Sequence, residues 1–360
     1  MNKYHSIEDL EQYRSSDYLS QSFLKMVLAN NVKKNFKESI VMVLGSYIDC
    51  ELTSPDLADK LFMQDLTKRP SDTIRGFLVN TFEVLCEMDS VDNIKELETY
   101  RDVLIYTARQ AGYQNNWGDD AIWKSIFKDG EEYWKFLIQS KGRTIITSEE
   151  MRLSKTIASL AMSHPLTGKY FIDQPNVDKY YQLPLYWMYE DLPCKGLVDI
   201  LIVEHETKTI YLPDIKSTGV YNIDEWIRVC RTKNYPMQMS WYKLGVERNF
   251  QDLIEQGYKI ECRWIVIPMN EFSFKPWVIP CTQMLLDIGM YGYSKQVVSE
   301  IPVNGEYKKI KKVKYYGGIS DALTHYKLAK QNELIDYDIP YMNSGGKMSY
   351  VDIEAKFLTS

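Results

Sequence analysis

Cys194-Lys-Gly-Leu-Val-Asp199-Ile-Leu-Ile-Val203 and, after a short interval, Tyr211-Leu-Pro-Asp214-Ile-Lys216-Ser-Thr218 are the segments that decide the fold. Two runs rich in Ile, Leu and Val, 197–203 and 209–215, flank the charged linker Glu204-His-Glu-Thr-Lys208, a pattern that predicts a β-hairpin. One acid lies inside the first run and another near the end of the second. Side chains alternate along a strand, so Asp214 and Lys216 are expected to share a face while Ile215 points into the core. Charges set in apolar strands are costly to desolvate unless something compensates them. Two acids and a lysine suggest a divalent cation between carboxylates with an ammonium beside it, and hard oxygen donors suit Mg²⁺ or Mn²⁺.

An acid-x-Lys match alone carries nothing, because about four are expected by chance in this composition. Asp214-Ile-Lys216 stands beside Glu206-Thr-Lys208, Glu306-Tyr-Lys308 and Glu354-Ala-Lys356. Only the first ends an apolar strand that is hairpin-paired with another acid-bearing strand.

Outward from the hairpin, the chain divides into a mostly helical region (residues 1–165), a strand-rich core (166–335) and a loose tail (336–360). Ser20 opens a helix with Phe23, Leu24, Val27 and Leu28 on one face, and Ser39–Leu52 is another apolar-faced segment, interrupted in pattern by Gly45. Thr147-Ser-Glu-Glu150 reads as a capping box opening a helix to about Met162, which Ser163-His-Pro ends. Tyr235 to about Val246 reads as a helix, Ile260–Ile267 and Trp277–Ile279 as strands, and Met284–Glu300 and Ser320–Gln331 as helices.

The 360 residues are 45% hydrophobic, so the chain can bury a full core and is not dominantly disordered. No apolar run reaches membrane-spanning length, and the acidic start does not read as a signal peptide, so a cytoplasmic protein with no membrane partner is expected. The six cysteines form no CxxC pair, which excludes zinc-ribbon and cysteine-bound cluster patterns and predicts buried thiols. A net charge of −6 weighs against a generic nucleic-acid coating protein but leaves room for a local basic cleft.

Gly196-Leu-Val-Asp199 and Asp214-Ile-Lys216 resemble the paired strands of the RecB/exonuclease VIII branch of the PD-(D/E)XK nucleases. Downstream, Gln238-Met-Ser-Trp-Tyr242 matches that family's Gln-x-x-x-Tyr helix, its two polar residues four apart on one face. Upstream, Gly45-Ser-Tyr-Ile-Asp49 takes the place of a Gly-x-x-x-His element, with aspartate where the family has histidine.

The resemblance implies an α/β (α+β) fold: a restriction-endonuclease-like core, with a mixed β-sheet flanked by helices and a helical N-terminal region walling the substrate channel. It implies a metal-dependent DNA nuclease, an exonuclease of phage or bacterial recombination. Asp199, Asp214 and the main-chain carbonyl of Ile215 would hold Mg²⁺ or Mn²⁺, with Asp49 adding a ligand. Lys216 would orient the attacking water or stabilise the developing charge, and Gln238 and Tyr242 would position nucleic-acid backbone or Lys216. DNA, a single-strand annealing or recombination protein and a homo-oligomeric ring are the implied partners. A non-catalytic DNA-binding protein on the same fold and a repair or CRISPR-associated nuclease remain the alternatives. Weaker substrate-contact candidates are Lys195, equally readable as solvated, and Arg231 with Arg228 and Lys233 ahead of the Gln-x-x-x-Tyr helix. Lys308, Lys309, Lys311, Lys312 and Lys314 form a lysine-rich strand. Trp117 and Trp123 are readable as base-stacking or core residues.

Overall fold

The computed structural model describes residues 3–4, 7–29, 40–66, 68–88, 93–303 and 306–331. The chain forms two compact units, residues 1–54 with 156–360, and residues 55–155. The first opens with β1 (Lys3–Tyr4), α1 (Ile7–Ser15), α2 (Gln21–Ala29) and α3 (Ile40–Thr53). The second contains α4 (Pro55–Leu61), β2 (Phe62–Gln64), α5 (Asp72–Met88), α6 (Arg101–Gln110), α7 (Asp119–Ser140) and β3 (Thr144–Ile146). Helix α8 (Ser148–Ser163) crosses the division. Strands β4 (Val177–Tyr189), β5 (Leu192–Glu204) and β6 (Thr209–Thr218) follow. Then come α9 (Ile223–Thr232), α10 (Tyr235–Asn249), α11 (Gln251–Glu255), β7 (Lys259–Pro268) and β8 (Trp277–Pro280). The described chain closes with α12 (Gln283–Tyr291), β9 (Tyr293–Val303), β10 (Glu306–Tyr316) and α13 (Ile319–Gln331).

The fold is mixed α/β. A six-stranded sheet runs in the order β1-β4-β5-β6-β7-β8, and helices flank it. Strands β4, β5 and β6 are antiparallel neighbours, while β6 and β7 are parallel. Parallel neighbours need a crossover, and α9–α11 supply it. Helix α10 packs with Val198, Leu212 and Trp264 in one core, where Trp187 meets Trp241 at 4.9 Å and Trp226 meets Trp264 at 5.5 Å. Helix α3 lies on the other face of β6, since a Cβ built at Gly45 would stand 3.5 Å from the Ser217 Cβ. That is ordinary van der Waals spacing, so an alanine would also fit there. Helix α3 runs unbroken through Gly45.

The helical region expected over 1–165 divides differently. Residues 1–54 belong with the sheet, because α3 covers β6 and α2 pairs with α13. Residues 55–155 have their own core around Trp134, packed edge-on to Phe82 at 5.7 Å. Trp123 joins that core beside Phe127, which accounts for it without base stacking. The capping box forms in both directions, Thr147 N to Glu150 Oε2 at 2.7 Å and Glu150 N to Thr147 Oγ1 at 3.2 Å. The helix expected over Met284–Glu300 stops at Tyr291. Gly292 takes φ +76, and a Cβ there would fall 2.4 Å from the Tyr316 carbonyl oxygen, so the chain turns and β9 begins. All six cysteines are free thiols and all but Cys86 are buried. No helix among the described residues is long and apolar enough to cross a membrane. The tail 336–360 lies outside the described residues.

The β5–β6 hairpin is zipped over only three pairs, Glu204–Thr209, Val203–Ile210 and Ile202–Tyr211. Pro213 follows, and proline has no N–H to give a ladder. Its nitrogen has the same parity as that of Ile215, which points toward β5. The strands part there, while β6 keeps its full pairing with β7. The abandoned edge of β5 is taken up at its start by Leu19, which accepts from Lys195 N at 2.8 Å.

Lys195 is 7% exposed and its ammonium donates to the carbonyls of Tyr13 and Ser16, both at 2.6 Å, at the C-terminal end of α1. Carbonyls there have no helical partners, so this lysine caps the helix and fastens it to β5, rather than reaching a phosphate. Lys195→Met should lower stability by about 2 kcal/mol in urea unfolding. Wild-type stability in that variant would mean that Lys195 does not fasten α1 to β5.

Candidate active site

The site forms where β5 and β6 separate. By register Asp199 and Asp214 would sit opposite each other, but the ladder has ended. Instead, Asp199 Oδ2 accepts the Ile215 N–H at 2.8 Å. Asp214 shares parity with Ile210 and Leu212 of the α10-side core and is 1% exposed. The expectation that Ile215 alone points inward is thus corrected: both faces of β6 are covered, and Asp214 is as buried as Ile215.

Lys216 neutralises this buried acid. Its Nζ lies 2.5 Å from Asp214 Oδ2 and 3.2 Å from the Ile215 carbonyl oxygen. The Asp214 contact is an ion pair rather than a well-aligned hydrogen bond, since neither Asp214 oxygen meets hydrogen-bond geometry. Burial works to lower the ammonium's pKa, but the charges of Asp214 and Asp199 outweigh it and hold Lys216 above the ordinary lysine value. The Tyr235 ring, 5.0 Å from Nζ, covers the cation.

Asp49 comes in from α3. Burial, opposed by Lys216 and reinforced by Asp214, pushes its carboxyl up to about 7. Gln182 donates to Asp49 Oδ2 and to Thr53 Oγ1, both at 3.0 Å. Gln182 takes φ +48 within β4, and the β4–β5 register skips the rung where it faces Asp199. Such conformations are strained for a side chain with a Cβ and gather at functional sites. Both strands change phase there: Tyr180 and then Leu183 face the α10-side core in β4, as do Leu201 and then Val198 in β5. Asp199 is held well above the ordinary carboxylate range, by burial first and then by Asp49 and Asp214.

Gln238 donates to the Tyr242 hydroxyl at 2.9 Å. Burial, then the charges of Asp199 and Asp214, raise the Tyr242 pKa well above its usual value, so its hydroxyl keeps its proton and remains a donor. Among the described residues neither Gln238 nor Tyr242 bonds Lys216. The residue that touches Lys216 is Tyr235, which sequence reading passed over although Tyr235, Gln238 and Tyr242 fall on one helical face. Gln182 also went unnoticed, and nothing in its neighbourhood signals a left-handed residue.

The structure thus gathers Asp49, Asp199, Asp214, Ile215, Lys216, Gln238 and Tyr242 about one slot. Lys195 is elsewhere, beneath α1. Arg231 lines a separate basic cleft. Lys311 is exposed on β10 with Val313 and Tyr315, opposite in parity to Lys314 and Tyr316, so the lysine-rich strand does not present a single basic face. The Lys308 side chain lies outside the described residues. Asp49 Oδ1 and Asp214 Oδ1 are buried without hydrogen-bond partners, which fits donors that take a cation. Among the described residues no three His, Cys, Asp or Glu side chains close into a ready-made cage. A cation here would therefore use the Ile215 carbonyl as well. No protein-family model and no curated protein matches the chain.

Removing one member of a buried ion pair strands the other. Lys216→Met should cost about 3–5 kcal/mol in urea unfolding, and Asp214→Asn with Lys216→Met should cost clearly less than the sum of the single changes. A loss below about 1 kcal/mol for Lys216→Met would mean a solvent-screened pair.

Proposed function

We propose that the protein is a metal-dependent DNA nuclease with a restriction-endonuclease-like core, of the PD-(D/E)XK superfamily and its RecB/exonuclease VIII-like branch. An exonuclease acting in DNA recombination or processing is the favoured form. The observation that carries the reading is the parted hairpin, in which Asp199, Asp214, the Ile215 carbonyl and Lys216 share one buried slot. A structural role alone would not require three acids and a lysine at a strand separation.

Asp199, Asp214 and the Ile215 carbonyl would hold Mg²⁺ or Mn²⁺, with Asp49 as a further ligand steadied by Gln182. The ion, when bound, supplies Lewis-acid polarisation of the scissile phosphate and a water of lowered pKa. Lys216 contacts two of the oxygens assigned to the ion, so ammonium and cation compete for them. In the working site Lys216 turns to the attacking water or to the charge developing on phosphate. Tyr242, a permanent donor aligned by Gln238, offers its hydroxyl to the nucleic-acid backbone.

End-labelled linear duplex, single strands and closed circles, incubated with and without Mg²⁺, test this. Linear DNA should be degraded only with metal, circles should survive, and Asp214→Asn should abolish turnover while remaining folded. Calorimetry with Mn²⁺ adds a readout free of turnover: Asp49→Ala should bind more weakly, and Lys216→Met more tightly because the competing ammonium is gone. No metal-dependent cleavage of any substrate, with Mn²⁺ affinity indifferent to all three changes, would overturn the proposal. Metal binding without cleavage would leave a DNA-binding protein on the same fold.

A further inference from the structure

A cleft of about 720 Å³ opens between α2, the end of α9 and the β9–β10 hairpin. Lys25, Arg228, Arg231 and Lys295 line it and no acidic residue does, in a chain whose net charge is −6. Among the described residues none of these four cations has an ion-pair partner. Burial, and then the nearby charges of Lys216 and Lys233, push Lys25 down to about 8. Asn234 also lines the cleft, and the next residue, Tyr235, covers Lys216 of the candidate active site, so the two adjoin. In the hairpin Lys295 pairs directly with Lys314, an arrangement of like charges that weakens a sheet on its own. Uncompensated cations gathered around a concavity favour an anion in it.

The wall beside them is aromatic. Tyr293 and Tyr316 are cross-strand partners whose rings stack at 4.9 Å and 8°. Lys314 covers Tyr316 with its Nζ 5.1 Å from the ring centre. The Tyr293 hydroxyl is buried and has no hydrogen-bond partner. A groove that tracks phosphates with cations and meets bases with aromatic rings is how single strands are bound without sequence preference. The volume is that of a small-ligand pocket, room for on the order of one or two nucleotides and too narrow for a duplex.

We infer that this cleft holds one strand of nucleic acid beside the active site, with phosphates on Lys25, Arg228, Arg231 and Lys295 and a base against the Tyr293–Tyr316 pair. The inference rests on the nuclease reading, since it names the path of that enzyme's substrate. It separates strand handling from metal chemistry: the cations of the cleft hold the strand, and the acids of the slot act on it.

Fluorescence anisotropy with a labelled oligothymidylate in EDTA tests the cleft apart from cleavage. Arg228 and Lys295 are exposed, so Arg228→Gln with Lys295→Gln should leave the fold intact. The double change should weaken binding about tenfold and reduce the slope of log affinity against log salt by about 1.4, the share of two single-strand phosphate contacts. Tyr316→Ala should weaken binding at an unchanged slope. Lys124→Gln with Lys128→Gln, in the other compact unit, should change neither. Wild-type affinity and slope in Arg228→Gln/Lys295→Gln would overturn the inference even if Mg²⁺-dependent digestion is observed. The expected losses in a protein that digests nothing would sustain the cleft and sink the nuclease reading. A free nucleoside monophosphate competing as strongly as the oligonucleotide would mark a small-anion pocket and overturn the strand assignment.

Discussion

Where β5 leaves β6, the N–H of Ile215 loses its ladder partner, and the Asp199 carboxylate accepts it at 2.8 Å. A buried amide left unpaired costs about 1–3 kcal/mol, so the acid is fixed in the gap by the same need that fixes backbone in a sheet. Pro213 lies where the ladder to β5 stops and has no N–H to offer across it, so it favours the gap at that position. The parted strands leave the Ile215 carbonyl facing the slot, against Lys216, instead of across a ladder. One oxygen of Asp199 is spent on structure, and the geometry of the remaining donors follows from it.

Electrostatics then determine how the acids coexist. Asp49 and Asp199 each raise or are raised by their acidic neighbours, and burial adds to the effect. Lys216 is the counterweight, paired with Asp214 and covered by Tyr235. Charges buried this way contribute little net stability and are expensive to break. The left-handed Gln182 is a second local cost, and it holds Asp49 in place through a single amide. A fold selected for stability alone would replace this constellation with apolar side chains of similar volume.

The hairpin motif was legible because β-branched runs and a charged linker mark strands whatever their surroundings. Gly45 and Asp49 were legible as a spaced pair, four apart and so on one face of a helix, and the structure sets Gly45 against Ser217 of β6. Residues whose roles depend on remote partners were not. Lys195 meets α1 across more than 180 residues of sequence, and no local pattern distinguishes it from a solvated lysine. Gln182 sits in a strand whose distortion arises from its neighbours. The start of β9 was hidden because the apolar spacing after Met284 suits a helix, and only Gly292, pressed against the Tyr316 carbonyl, reverses the chain. The division at Ser54 escaped for the same reason: helices look alike in sequence whether they cover a sheet or one another.

On the proposed function, the parting of β5 and β6 creates a cation-binding slot. Anomalous difference density from crystals soaked in Mn²⁺ addresses it directly. A peak bounded by Asp199, Asp214 and the Ile215 carbonyl, with Lys216 turned away from those oxygens, is the result the account predicts. Lys216 still paired with Asp214 and no manganese in the slot at saturating concentration would contradict it.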